Sequence, residues 1–258
     1  MTNRSGGAGR LISLGIALAL AAAPAPAAES KVKTFMAGLN FDHFSRTMVW
    51  DGDTATSRLR ASLVSARADF GFGKGLTLSL SAGLSLTGFG GLAFGTLPIT
   101  LEYDASLMKG LVLGAELEAS ILKLGGFEIK AAGRFVSSFG MSKTWPLEGF
   151  AVEGEARGRS NWMEASAGPR LAYSLSGAFV PYLELNARWL RADFRLEETL
   201  EDLHGLETKR IKGDLLFSAA LGGDVRVSDR LTIKAKGGFV PFAGGADALA
   251  SIGLLYIF

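Results

Sequence analysis

Long runs in which apolar residues occupy every second position constrain this chain more than any other feature. Leu76, Leu78, Leu80, Ala82, Leu84 and Leu86 share one parity, while Thr77, Ser79, Ser81, Gly83, Ser85 and Thr87 share the other. Successive side chains of a strand point to opposite faces, so this run has one apolar face and one small, polar face. Leu97, Ile99, Leu101, Tyr103, Ala105 and Leu107 repeat it against Thr100, Glu102, Asp104 and Ser106. Leu111 to Ile121 does so against Glu116, Glu118 and Ser120, and Ile211 to Val227 against Lys212, Asp214, Ser218, Asp224 and Arg226. No helical period fits these runs. Soluble strands usually run about five or six residues. Several runs here are about twice that, the roughly ten residues with which a tilted strand crosses a bilayer. In that setting the apolar parity faces lipid and the polar parity fills a lumen.

The expected fold is therefore all-β: a transmembrane, antiparallel, up-and-down β-barrel of about twelve strands, with ten as the alternative count. Gly73-Lys74-Gly75, Lys109-Gly110, Ser176-Gly177 and Ser228-Asp229 read as short periplasmic turns. Asp42 to Thr56, Gly88 to Thr96 and the charged stretch Arg195 to Leu206 read as outer connections. Ser138 to Glu148 fits this scheme poorly, because strand counting makes it a periplasmic turn although it is long and contains Trp145-Pro146. The strand from Arg58 to Phe70 changes apolar parity near Val64, which predicts a β-bulge.

The N-terminus carries a different signal. Arg4 and Arg10 precede an apolar stretch from Leu11 to Ala23, too short for a membrane span, and Ala25-Pro26-Ala27 follows as a small-residue cleavage site. Residues 1–28 read as a secretory signal peptide and 29–258 as the barrel, with no passenger region beside it. The absence of cysteine excludes disulfide frameworks and thiolate metal sites. A net charge of +2 without a clustered basic face argues against a nucleic-acid partner. The paired glycines Gly125-Gly126, Gly222-Gly223, Gly237-Gly238 and Gly244-Gly245 match no phosphate-binding fingerprint and read as bends, turns or tight lumen packing. Trp50, Trp145, Trp162 and Trp189 read as interfacial girdle residues.

The chain ends Ser251-Ile252-Gly253-Leu254-Leu255-Tyr256-Ile257-Phe258. Ser251, Gly253, Tyr256 and Phe258 resemble, position by position, the final-strand insertion signal of Gram-negative outer-membrane barrels as a class. The resemblance implies residence in the outer membrane, the lipid bilayer as surroundings and the barrel-assembly machinery as a folding partner. It names no narrower family.

Assigning the polar parity inward gives a charge map. Glu102, Asp104, Glu116, Glu118, Glu153 and Glu155 fall in the first half of the wall. Lys212, Arg226, Lys234 and Lys236 fall near the end, and closure brings Arg58 and Arg60 close to that basic side. Opposed walls suit two functions. A water-filled pore would use them to orient small solutes or ions; a narrow barrel would pair them across the lumen and fill it. The leading reading is thus a passive, porin-like channel or a structural barrel, without chemistry, cofactor or metal. Two alternatives stand beside it. His43-Phe44-Ser45 resembles the His-x-Ser pair of outer-membrane lipases, which would make His43 the base for Ser45 in a lipid hydrolase. The Asp42–Thr56 and Arg195–Leu206 segments could instead serve a surface receptor or adhesin.

Overall fold

The computed structural model describes residues 32–51, 56–94, 97, 102–147, 154–211, 215–242 and 244–258. The expected signal peptide therefore lies outside the described residues. The strands are β1 (Val32–Val49), β2 (Thr56–Phe72), β3 (Leu76–Ala93), β4 (Glu102–Leu124), β5 (Phe127–Gly140), β6 (Lys143–Pro146), β7 (Gly154–Tyr173), β8 (Phe179–Leu200), β9 (Leu203–Ile211), β10 (Leu216–Arg226), β11 (Leu231–Phe242) and β12 (Gly245–Ile257).

These twelve strands form one antiparallel sheet. β1 pairs with both β2 and β12, and the β7–β8 pairing closes the ring. β5 and β6 lie end to end along one edge of β7. β9 and β10 do the same along one edge of β8. Twelve strands with two such continuations leave ten positions around the wall, so the two sequence-based counts describe one barrel at different levels.

Short turns at Gly73–Gly75, 125–126, 174–178 and 227–230 share one end of the barrel with the start of β1 and with Phe258. Gly75 (φ 77°) and Gly125 (φ 58°) take left-handed conformations there. The expected turn at Lys109-Gly110 is not one: both residues lie inside the 23-residue β4. Gly110 faces the lumen, where a Cβ would meet Ser85 Oγ at 2.6 Å and the Phe139 carbonyl oxygen at 2.9 Å. Its glycine permits tight packing, not a bend. Without that turn, Ser138 to Glu148 moves to the other end, where β5 ends, Met141-Ser142 break the strand and β6 resumes it. The expected outer connections are mostly strand as well. Arg195 to Leu206 is a β8–β9 hairpin turning at Glu201 (φ 47°) and Asp202.

The outward face has two zones. Toward the Phe258 end it is apolar: Leu80, Leu84, Leu86, Leu111, Leu113, Ile252 and Leu254 are all exposed. The outward positions from Leu76 to Leu86 span about 33 Å of strand, or about 25 Å of height at a tilt near 40°. That is the apolar height of an outer-membrane barrel. Aromatic rings border its lower edge, where Phe35 lies 5.3 Å from Phe70 and 5.4 Å from Phe258, and Phe127 lies 4.6 Å from Tyr173.

Beyond this belt the two faces exchange character. Leu59, Ala61 and Leu63 point inward and are buried, while Arg58 and Arg60 between them point outward and are exposed. The expected bulge near Val64 is therefore absent, and β2 pairs with β3 without a register shift. What changes at that height is the surroundings: past the bilayer the outer face meets water, so charges turn outward and the interior becomes a core. Several glycines let neighbouring strands approach. At Gly168 a Cβ would lie 1.8 Å from the Leu185 carbonyl oxygen. Gly168→Ala is expected to force β7 and β8 apart and cost about 1–3 kcal/mol, seen as a lower midpoint in the heat-induced gel shift of the folded barrel.

Candidate functional site

The lower lumen is a belt of interlocked charges, built because most wall strands place charged residues on their inward parity between apolar or small outward neighbours, β3 supplying only serine, threonine and glycine there. Arg170 on β7 sits at its centre. Its Nε donates to Glu184 Oε1 at 2.7 Å, its Nη1 and Nη2 contact Glu118 and Glu184, and Glu116 lies 3.7 Å away. The Tyr182 ring lies under the guanidinium at 4.4 Å. Arg67 bridges Asp69 at 2.6 Å and Glu116 at 2.9 Å. Lys234 reaches Asp69 at 3.0 Å and Lys236 reaches Glu184 at 3.2 Å. Arg134 holds Asp42 at 2.7 Å, and Arg188 holds Glu164 at 2.6 Å. Lys130 lies 3.7 Å from Glu118. Burial of such charges is tolerable only when they are paired and hydrogen-bonded; each charge named here has an ionic partner, while Arg188 Nε and Oδ1 of Asp224, opposite Lys234 in register, are buried without a hydrogen bond.

A second tier fills the lumen beyond the belt. Phe44, Trp50, Leu59, Phe89, Leu92, Phe94, Met108, Trp162, Leu190, Phe194 and Leu196 form one buried apolar cluster. Phe89 and Phe194 meet edge to face at 5.3 Å, as do Phe44 and Trp162 at 5.2 Å. The indole N–H groups are satisfied: Trp50 donates to Ser57 Oγ at 2.6 Å and Trp162 to Thr87 Oγ1 at 3.0 Å. Trp50 and Trp162 thus belong to this core and Trp145 packs against it, which corrects the girdle expectation for these three. Where the two tiers meet, a cavity of about 40 Å³ is lined by Asp42, Arg134, Trp162, Glu164, Arg188 and their neighbours. A second, of about 30 Å³, lies within the belt beside Arg67, Glu116, Arg170 and Lys234. Each has room for a few water molecules at most.

An antiparallel ring with an apolar belt outside and charges within decides the comparison with known structures. The fold is that of the outer-membrane β-barrels of Gram-negative bacteria. The barrel superposes on the outer-membrane protease OmpT from Escherichia coli with a TM-score of 0.54 and 10% identity, covering 90% of this chain and 99% of that one. It superposes on the translocator domain of the autotransporter NalP from Neisseria meningitidis with a TM-score of 0.50 and 12% identity, covering 96% of each. No family model and no curated protein matches the sequence. At these identities the likeness of this outer-membrane barrel fold extends to architecture alone.

The expected lumen residues are distributed unevenly. Glu116, Glu118, Lys234 and Lys236 face inward and join the belt. Arg226 ends β10 at the Phe258 end, exposed. Arg58, Arg60 and Glu155 face outward and are exposed, in the zone where the faces exchange character. Their assignment to the lumen is corrected for that reason. Glu153 and Lys212 lie outside the described residues, as do the side chains of Glu102 and Asp104, whose backbone belongs to β4. The belt also differs from two opposed walls: acidic and basic residues interleave around the ring. Sequence reasoning missed Asp42, Arg67, Asp69, Lys130, Arg134, Glu164, Arg170, Glu184 and Arg188. Their signal was legible in part, since Arg170 and Glu184 each stand between two apolar or small neighbours.

The expected pairing of His43 with Ser45 does not form. His43 Nδ1 bonds Ser62 Oγ at 2.9 Å, across to β2. Ser45 Oγ instead donates to Asp247 Oδ1 at 3.4 Å and accepts from the Ala248 amide at 3.2 Å. His43 and Ser45 share the outward face of β1, but the His43 ring turns across to β2 and Ser45 turns toward β12, so the two side chains take separate partners. Ser45 helps close the seam between the first and last strands. Their backbone ladder stops at Phe44↔Leu249. Above it the buried Asp247 carboxylate accepts from the Thr47 amide and, at 3.0 Å, from Thr47 Oγ1. Of the insertion-signal residues, Ser251, Gly253 and Tyr256 pair with Asp42, Asn40 and Ala37 of β1, and the Phe258 amide donates to the Phe35 carbonyl. The signal thus lies at the strand that closes the ring.

Proposed function

We propose that this chain is a closed outer-membrane barrel that acts through its extracellular end and not through a pore. It would be exported by residues 1–28 and inserted through the final-strand signal. The observation that carries this reading is the two-tier lumen, in which ion-paired charges occupy the lower half and an apolar core the upper half. A conducting pore needs a continuous polar path, and an apolar constriction opposes hydration. The strands support the same conclusion. β4, β7 and β8 run 23, 20 and 22 residues, about twice what a bilayer requires. The excess forms a rigid, core-filled extension that carries the β8–β9 hairpin into the medium. Such an extension holds the hairpin clear of the bilayer, where a partner in the medium can reach it.

The test is single-channel recording of the refolded mature protein in a planar bilayer, with a heat-induced gel shift as proof of folding. Folded barrel without steady conductance is the expected result. A steady, ion-selective conductance would overturn the closed-barrel reading and make Glu116, Glu118, Lys234 and Lys236 its selectivity determinants.

A further inference from the structure

On the outer face of β7, β8 and β9 the apolar belt gives way abruptly to arginine. Going outward along β8, the outward positions read Leu183, Leu185, Ala187, Trp189, then Arg191, Asp193, Arg195 and Glu197. Along β7 they read Ala167, Ala165, Met163, then Asn161, Arg159 and Arg157. The register places Arg191 beside Met163, Asp193 beside both Asn161 and Arg210, and Arg159 directly opposite Arg195.

Like charges directly opposite each other destabilise an antiparallel pair, so the Arg159–Arg195 juxtaposition is unfavourable unless an anion is shared between them. Asp193 and Glu197 flank Arg195 on this face but are outnumbered by Arg157, Arg159, Arg191, Arg195 and Arg210. Asp193 lies 3.8 Å from Arg191 and 3.5 Å from Arg210. Arg159 Nε is held by the Gly140 carbonyl at 3.1 Å, which fixes its guanidinium in place. The side chains of Arg191 and Arg210 are 48% and 69% exposed.

We propose that this face binds the phosphate groups of a phosphorylated glycolipid in the outer leaflet. The assignment rests on the outer-membrane reading above, because that reading sets the height of the cluster. Counting from Trp189, Arg191 stands about 5 Å and Arg195 about 15 Å higher along the barrel axis. The headgroup layer of a simple phospholipid is only about 5–8 Å deep, so its single phosphate reaches the lowest row alone. A saccharide headgroup with more than one phosphate engages Arg191 and Arg210 below and Arg159 and Arg195 above. Guanidinium suits the task, because its planar fork binds phosphate through two parallel hydrogen bonds. Trp189 and Met163 beneath the cluster, with the exposed Phe139 beside Asn161, give the acyl chains an apolar wall.

The experiment uses the mature protein refolded in detergent and measures lipid adducts by native mass spectrometry. The probes are bisphosphorylated lipid A, its fully dephosphorylated counterpart and phosphatidylglycerol. The wild type is expected to retain bisphosphorylated lipid A at least tenfold more strongly than either control. R159Q/R195Q is expected to lose at least that tenfold preference with its gel shift unchanged, and R159K/R195K to recover part of it. R58Q/R60Q, on β2 and outside the β7–β8 face that carries Arg159 and Arg195, is expected to keep it. Equal retention of the dephosphorylated lipid, or an unchanged preference in R159Q/R195Q, would overturn the proposal. Insertion into vesicles is scored separately. Failure of the folded protein to insert would refute the outer-membrane reading, whereas insertion without lipid preference would refute the glycolipid site alone.

Discussion

Arg170→Met should destabilise the barrel by about 3–5 kcal/mol, the range for removing one partner of a buried ion pair. The guanidinium is the shared partner of Glu118 and Glu184, with Glu116 nearby. Methionine keeps most of the volume but leaves these carboxylates facing each other in a lumen too narrow for bulk water. Lys236 still holds Glu184 and Arg67 still holds Glu116, so the sharpest loss falls on Glu118, which keeps only the longer contact to Lys130 at 3.7 Å. Urea unfolding in lipid vesicles, followed by tryptophan fluorescence, measures the effect. The double variant R170M/E118Q should recover part of the loss, because it removes the most weakly paired of the remaining buried charges. A barrel whose urea midpoint stays at the wild-type value in R170M would show that the belt is more hydrated than its packing indicates.

Phe194→Ala should have an effect of similar size but a different location. The ring is 1% exposed and packs on Phe89 and Phe94 at the heart of the upper tier. Truncating a buried phenylalanine costs about 3–5 kcal/mol. Because this tier stands beyond the lipid belt, the loss should open the β8–β9 extension while leaving the membrane-spanning part intact. Limited trypsin digestion is expected to cut F194A at Arg195, Lys209 or Arg210 many times faster than the wild type. The gel shift of the remaining barrel is expected to persist. Loss of that shift together with the trypsin protection would mean that the two tiers unfold as one unit.

The difference between these two variants reflects where sequence reading succeeded and where it stopped. The alternation from Leu76 to Leu86 and from Leu111 to Ile121 translates directly into lipid-facing and lumen-facing rows, because a strand offers only two faces. The turns at Gly73–Gly75, Ser176-Gly177 and Ser228-Asp229 were legible for the same kind of local reason. Arg58, Arg60, Glu155, Trp50 and Trp162 were misassigned by one shared assumption, that apolar means outward everywhere along a strand. That rule belongs to the bilayer. Above it the solvent on the outer face changes from lipid to water and the preference of each face reverses, although β2 continues along β3 without a bulge. Lys109-Gly110 failed differently: a glycine that relieves a close contact with Ser85 and Phe139 has the same local signature as one that makes a turn.

By itself the sequence determined that this chain forms long antiparallel strands with one lipid-compatible face, since residue period and strand length are local properties. Only the tertiary structure decided which charges meet, where the inside becomes apolar, and that His43 bonds Ser62 and not Ser45. Those outcomes depend on ring closure and stagger, which bring together residues such as Asp69 and Lys234 from strands far apart in the chain. No spacing along the sequence encodes that meeting. It follows from the register in which β1 finds β12 and from the height at which the wall leaves the membrane.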